Sequence, residues 1–420
     1  MPAQPPPQRR AFFGWRIVAL AVVTGALTGP GQTIGVSVFV DSLIEDLDLT
    51  RSSVSSAYLV GTLLAALGLP IVGKQIDRLG ARRAMTLIGI GFGTALVAMA
   101  GVRGFVSLIV GFAAIRLLGQ GALSLVSSVA VTHWFDRRRG TAIGILSTGM
   151  RGLMSLIPIG LSVVILSQGW RTAWLVAAAA VWLIVIPIAR FGIVDRPSDV
   201  GQHPDGIEPT PTDHDAPTAL AASATRGQAF RTARFWVLMS ASTSVGMLST
   251  ALVFHQISLM GDAGLTPTQA AAMFLPQVLG AAIAGTVFGL LADRLTSRIL
   301  IPMVMALLMT ALLLAANLTP GVMIVVYAIA LGASGGALGA VNATLLARWF
   351  GLGHIGAIQG AAALLNVAST AIGPLAFSIA RDLAGNYRGA ALWFTVLPTA
   401  AGIAAMFLKS ARVVGIRSGS

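Results

Sequence analysis

Apolar runs of about 20 residues or more follow one another along nearly the whole chain, separated by short breaks rich in Gly, Pro and Arg. A helix rises about 1.5 Å per residue, so some 20 apolar residues cross a hydrocarbon layer roughly 30 Å thick. The breaks predict helices over about 15–40, 52–73, 84–102, 105–132, 140–166 and 171–192. A second set is predicted over about 235–258, 267–291, 298–316, 321–347, 355–379 and 388–408. The expected fold is an all-α integral membrane protein with twelve transmembrane helices. Arg9 and Arg10 precede the first run as they would in a secretory signal. That run is longer than a signal's apolar segment and no small-residue cleavage site closes it, so it is read as a retained first helix.

Composition strengthens the same picture. Charged residues make up 10% of the 420 positions and hydrophobic ones 55%, far from the roughly 25% charge of a water-soluble domain. The net charge of +13 suggests a nucleic-acid binder at first, but the Arg residues cluster in the breaks and do not line a polar face, so no nucleic-acid partner is expected. Counted on alternate sides of the predicted helices, 21 Lys and Arg fall on one side and five on the other. This is the positive-inside pattern, and it predicts that both termini are cytoplasmic. With no cysteine in the chain, there is no disulfide framework and no Cys-based metal site; no metal or cofactor is expected.

The chain divides at 195–234, where Pro, Asp, Thr and Ala replace the apolar runs. The expected organisation is a cytoplasmic tail (1–14), a six-helix bundle (15–194), a flexible cytoplasmic linker (195–234), a second six-helix bundle (235–408) and a cytoplasmic tail (409–420). The two bundles are related. Gly73, Asp77, Arg78 and Arg82 recur 216 residues later as Gly289, Asp293, Arg294 and Arg298, and the same offset carries Gly119, Gly140 and Gly144 to Gly335, Gly356 and Gly360. Trp134-Phe135 recurs as Trp349-Phe350, one residue out of step. Parallel repeats of this kind place a binding site between two pseudo-symmetric halves near the midplane.

The segment from Gly73 through Asp77, Arg78, Arg82 and Arg83 resembles the cytoplasmic loop motif of the major facilitator superfamily, and Gly289 to Arg294 resembles its second copy. The resemblance implies that Asp77, with Gly73, Arg78 and Arg82, and Asp293 with Arg294, latch the cytoplasmic side closed. A carboxylate at a helix N-terminus is favourable in itself. Phe13-Gly14-Trp15, Trp134 to Gly140, Arg196-Pro197, Gly201 to Gly206 and Arg381 to Tyr387 are similar to the bacterial monocarboxylate-transporter-like and oxalate/formate-antiporter branch. That resemblance implies a bacterial inner-membrane protein, active as a monomer, that moves small carboxylates.

The two remaining cations lie inside predicted helices. Arg151 is 11 residues past Gly140 and Arg116 is 11 past Phe105, which puts each about 16 Å into the membrane. An Arg at a lipid-facing helix centre costs at least about 2.5–3.5 kcal/mol, so both are expected to face the interior. Arg116, Gln120, Ser124 and Ser127 share one face of an α-helix, as do Ser147, Arg151 and Ser155, while Gln32 adds a polar group beside the break Gly29-Pro30-Gly31. Gln359 and Asn366 share a face on helix 11. No Asp or Glu lies centrally in any predicted helix. Two cations without an internal acid suggest an anionic substrate, since a guanidinium gives a carboxylate two parallel hydrogen bonds. The expected binding set is therefore Arg151, Arg116, Gln32, Gln120, Ser147, Gln359 and Asn366. For Arg116 a structural role, bonding to backbone of a neighbouring helix, stays open.

The branch that the chain resembles commonly carries a cation on helix 8 or helix 11, and neither is present; Val367 occupies the position that matches Arg151 on helix 11. Asp41 and His255 are candidates for coupling to a proton, and a counter-anion is the other possible co-substrate. The alternative function is efflux of an amphipathic drug-like compound or a biosynthetic product. An enzyme is not expected, because no nucleotide loop, metal cluster or nucleophile motif is found.

Overall fold

The computed structural model describes residues 12–207, 224–351 and 354–408. The tail residues Arg9, Arg10, Lys409, Arg412 and Arg417 and the central part of the predicted linker lie outside the described residues. Eleven helices are long and apolar enough to cross a membrane. They are span 2 (Arg51–Leu79), span 3 (Ala81–Ala100), span 4 (Phe105–Thr132), span 5 (Arg139–Gln168) and span 6 (Trp170–Gly192). The second group is span 7 (Ala233–Phe254), span 8 (Pro267–Arg294), span 9 (Ser297–Ala315), span 10 (Val322–Phe350), span 11 (Ile355–Ala384) and span 12 (Tyr387–Met406). Span 1 completes the set in pieces: Gly14–Ala26, a 3-10 turn at Gly29–Gly31, Thr33–Val36, another 3-10 turn at Ser37–Phe39, and Val40–Asp46. Six spans pack on either side of the central connection, and no strand occurs among the described residues.

Proline accounts for several interruptions. A proline has no N–H and its ring collides with the carbonyl four residues earlier. Span 5 breaks between Met154 and Ile157, just before Pro158. Span 8 breaks at Met273 before Pro276, and span 12 between Trp393 and Val396 before Pro398. In span 1 the Gly-Pro-Gly break has a second cause. A Cβ on Gly35 would lie 2.1 Å from the Gly29 carbonyl oxygen, and one on Gly31 would lie 2.4 Å from the carbonyl oxygen of Ile115. The chain folds back on itself there and touches span 4 with no room for a side chain.

Spans 8 and 10 show the closest packing. Cβ atoms on Gly332 and Gly336 would sit 1.8 Å and 2.0 Å from the carbonyl oxygens of Gln277 and Ala281, and one on Gly280 would sit 2.3 Å from that of Ile329. Small residues four apart let two helix backbones approach in lipid, where apolar burial alone gives no preference for helix over tail.

The stretch expected to be a loose linker is ordered at both ends. Asp195 accepts the backbone N–H of Arg82 at 2.8 Å, at the N-terminus of span 3, where negative charge is favoured. Asp205 is buried, with φ of 59°, a left-handed conformation uncommon outside glycine. Its N–H reaches the Trp134 carbonyl at 3.0 Å. Its carboxylate accepts three consecutive N–H groups, those of Asp136 (2.9 Å), Arg137 (2.7 Å) and Arg138 (3.3 Å). The far end repeats the arrangement in the second half: Ala224 donates to the Phe350 carbonyl at 2.9 Å. The recurring Trp-Phe pair thus anchors the connection to each bundle. Asp205→Ala leaves three N–H groups without their acceptor and is expected to lower stability by about 1–3 kcal/mol. Thermal unfolding of the detergent-purified protein checks this; an unchanged melting temperature would show that water replaces the carboxylate without loss.

Candidate functional site

Two faces of the molecule differ in how the bundles meet. One, the basic face, carries the loops between spans 2 and 3, 4 and 5, 8 and 9, and 10 and 11 together with the central connection. On the opposite, distal face the bundles touch. Ser55 of span 2 and Ser378 of span 11 have their hydroxyls 2.7 Å apart, and Ser52 donates to Asp382 at 2.6 Å. Ser162 of span 5 meets Thr268 of span 8 at 3.2 Å, and the rings of Tyr58 and Phe254 lie 4.8 Å apart. Because the chain has no cysteine, paired substitution Ser55→Cys with Ser378→Cys is expected to cross-link on mild oxidation in membranes. Non-reducing electrophoresis after cleavage between the halves reads this, and failure to cross-link would place the distal ends apart.

At the basic face the glycines of both halves border open space. A Cβ added at Gly73, Gly140, Gly144, Gly289, Gly356 or Gly360 meets nothing within 4 Å. Asp77, Arg78, Asp293 and Arg294 are exposed, and among the described residues no ion pair joins them. The latch that the resemblance assigns to them is not engaged in this conformation. Arg82 bonds the Arg190 carbonyl of its own bundle, and Asp195, not Asp77, holds the N-terminus of span 3.

Between the bundles lies a set of adjoining cavities. One of about 440 Å³ is lined by Arg151, Gly246, Ser249, Thr250, Gln277 and Asn366, among others. A second, of about 560 Å³, shares Arg151 and adds Ser147, Thr148 and Thr286. A third, of about 300 Å³, is lined by spans 7, 10 and 11 of the second bundle alone; it shares Asn366 and adds Ser242, Asn342 and Gln359. Arg151 therefore faces the second bundle across open space, and among the described residues its guanidinium has no hydrogen bond or ion pair. Asn366 is held near span 7 by close approach: a Cβ on Gly246 would lie 3.2 Å from its Oδ1. Of the expected binding residues, Arg151, Ser147, Gln359 and Asn366 come together on these walls.

Arg116, Gln32 and Gln120 do not. Residues Arg116–Leu123 form a π-helical segment within span 4, which shifts the register on which a common α-helical face with Ser124 and Ser127 depends. Arg116 is turned into the first bundle, 4% exposed. Its guanidinium lies 4.7 Å from the Tyr58 ring centroid and 3.5 Å from the Thr33 hydroxyl. It therefore meets a ring face and a hydroxyl where backbone bonding was the open alternative. Gln32 donates to Thr28 at 3.3 Å, and the Gln120 side-chain oxygen is buried without a partner among the described residues.

Asp41 is a surface group at the distal face, paired with Arg51 at 2.6 Å, an arrangement worth at most about 1 kcal/mol when exposed. His255 is buried between the bundles' distal ends. Its Nε2 lies 3.1 Å from the Pro374 carbonyl and 3.2 Å from the Ser378 hydroxyl, and its Nδ1 lies 3.5 Å from the Tyr387 hydroxyl. Since a carbonyl only accepts, Nε2 carries the proton of the bond to Pro374.

Gln277, Asn342, Ser242 and Ser249 were not picked out from sequence. Gln277 donates to Gln256 at 2.5 Å, and Asn342 bonds Ser242 at 2.9 Å. The signal was present, since both Gln277 and Asn342 are uncharged amides within predicted helices 8 and 10.

Residues 20–276 match the family described as the Major Facilitator Superfamily. The chain is 24% identical over 257 residues to the oxalate:formate antiporter of Oxalobacter formigenes, covering 60% of this chain and 56% of that protein. The chain thus spans little more than half the length of that relative. It is 27% identical over 356 residues to the MFS transporter asaE of Aspergillus flavus, covering 82% and 74% of the two chains. Among solved structures it resembles a bacterial homologue of the human lysosomal transporter Spinster in an inward-facing, unoccupied conformation (TM-score 0.73, 17% identity, 94% and 97% coverage). The nucleoside transporter NupG superposes almost as well (TM-score 0.72, 12% identity, 94% and 98% coverage). At these identities the structural likeness shows the fold.

Proposed function

The chain belongs to the major facilitator superfamily, and from that premise we propose that it moves a small organic anion, a mono- or dicarboxylate, by alternating access between its two bundles. The observation that carries the reading is Arg151: a cation without a side-chain partner among the described residues, on the wall of a cavity bounded by both halves. A guanidinium on a cavity wall is completed by a carboxylate, through two parallel charge-assisted hydrogen bonds. The antiporter relative, named for two carboxylates, supports the same substrate class and favours a counter-anion over a proton as the exchanged species.

The basic face is the cytoplasmic one by the positive-inside pattern, in a bacterial inner membrane with both termini inside. The conformation described is then open to the cytoplasm. Binding closes the basic face, where Gly73, Asp77, Arg78 and Arg82, with Asp293 and Arg294, form the latch, while the distal contacts at Ser55, Ser378 and Asp382 part. His255 and Asp41, at that distal face, are the groups a proton would reach if one is carried. The protein works as a monomer, with the bilayer and the anion as its partners.

Proteoliposomes loaded with unlabelled short carboxylates and given labelled ones outside test this. Uptake is expected for at least one acid, blocked when the Ser55→Cys/Ser378→Cys pair is oxidised and restored by reductant. Because the cavity wall also carries apolar residues such as Val245, Val278 and Leu331, efflux of an amphipathic compound is the second reading. Uptake of lipophilic neutral or cationic compounds with no carboxylate flux would make that reading the right one.

A further inference from the structure

We propose that the anion is an open-chain monocarboxylate whose far end carries neutral hydroxyl groups, read by Asn366 and the polar side chains beside it on the second bundle. The proposal rests on the reading of Arg151 as the carboxylate anchor.

Charge comes first. Among the described residues, the three adjoining cavities are lined by one ionisable side chain, Arg151, and by no acidic residue. A second carboxylate would face amides, hydroxyls and aliphatic groups, and leaving water without a counter-charge is unfavourable for an ion. The charge-matched ligand is a monoanion.

The wall opposite Arg151 is polar and neutral. The Asn366 side chain, which lines both the central cavity and the one toward the basic face, makes no side-chain hydrogen bond among the described residues. The Ser249 hydroxyl on the same wall is buried without a partner among the described residues. Toward the basic face, Gln359 lies seven residues before Asn366 on span 11, about 10 Å along the helix, and the Asn342–Ser242 pair lies beside them. The Ser249 hydroxyl is buried, and buried polar groups are nearly always partnered, so it marks a place for a ligand atom; Asn366 is half-buried and Gln359 exposed, and both offer their amides to the cavities they line. An amide offers one acceptor and two donor hydrogens, as a hydroxyl is both donor and acceptor; a row of amides over about 10 Å suits a chain bearing several hydroxyls.

Ring ligands fit less well. Among the described residues no aromatic side chain lines any of the three cavities, so none of them stacks on a sugar or base there. Gly332, Gly335, Gly336 and Ala281 add little bulk to the central cavity's wall beside Val245, Val278 and Leu331, which suits an unbranched chain.

The test uses three six-carbon acids on the purified full-length protein: gluconate, with a hydroxylated chain; hexanoate, of equal charge with an apolar chain; and glucarate, a dianion. Affinities come from calorimetric titration. Gluconate is expected to bind at least roughly tenfold more tightly than hexanoate, the worth of about one net neutral hydrogen bond, and glucarate no more tightly than gluconate. Asn366→Leu should remove that advantage, weakening gluconate roughly tenfold and leaving hexanoate unchanged. Ser249→Ala, a smaller change, should act in the same direction if the leucine variant does not fold. Hexanoate binding as well as gluconate, glucarate binding best, or both variants weakening gluconate and hexanoate equally would each overturn the inference while leaving Arg151 as anchor. Binding of any of these acids that is insensitive to Arg151→Gln, or binding of none, would overturn the anchor itself and with it the function proposed above.

Discussion

Arg151→Gln is expected to reduce anion transport roughly 10- to 100-fold, the worth of a hydrogen-bonded charge at about 1.5–3 kcal/mol, without lowering the protein's melting temperature. The two halves of that expectation have one cause. Arg151 is exposed to the cavity and bonds no other side chain among the described residues, so shortening it orphans no partner group and opens no packed core. What is lost is the guanidinium's two parallel donors toward a carboxylate. Arg151→Lys keeps the charge as a point and loses the fork, so its rate should fall between the wild type and the glutamine variant. Initial uptake rates in proteoliposomes, with unfolding followed on the same samples, check the set. A glutamine variant that transports normally would remove the anion site from this residue. One that unfolds would mean the guanidinium holds the bundle together.

The largest structural effect is expected from Gly332→Leu. Even the first atom of the new side chain would sit 1.8 Å from the Gln277 carbonyl oxygen, and a backbone carbonyl in a helix cannot swing aside as a flexible side chain does. Spans 8 and 10 would have to separate, breaking the packing that positions Gln277 and its bond to Gln256. Overpacking of this kind costs about 1–3 kcal/mol where the core adapts, and more where it does not. The expected result is a sharp loss of folded monomer on size exclusion. Gly335→Ala is the control on the same helix, because a Cβ there meets nothing within 4 Å and should leave the yield of folded protein unchanged.

The spans were legible in the sequence because membrane thickness imposes a length and an apolar composition that single residues seldom disguise. The breaks in spans 5, 8 and 12 follow from Pro158, Pro276 and Pro398, and the divided first span from its Gly-Pro-Gly. The π-helical turn at Arg116–Leu123 was not legible. It adds a residue to one turn without any local marker, so Arg116 does not share an α-helical face with Ser124 and Ser127, and Arg116 itself sits over Tyr58. Two midspan arginines that look equivalent in one dimension thus differ: one is buried against a ring, the other stands open between the bundles. The same limit applies to Asp195 and Asp205. They stand in a Pro- and Asp-rich stretch that reads as loose connection, and only the folded bundle brings the N–H groups of Arg82 and of residues 136–138 to their carboxylates. The site on the second bundle was half legible. Gln359 and Asn366 share a face on one helix, whereas Gln277 and Asn342 join them only through the packing of spans 8, 10 and 11.

The most direct measurement is the thermal unfolding of wild type and Arg151→Gln against rising concentrations of short mono- and dicarboxylates. A ligand that binds only the folded state raises the melting temperature once its concentration passes its dissociation constant. The account predicts that at least one carboxylate stabilises the wild type and that the same acid fails to stabilise Arg151→Gln over that range. Equal stabilisation of both proteins, or stabilisation of the wild type by lipophilic neutral or cationic compounds and by no acid, would contradict it.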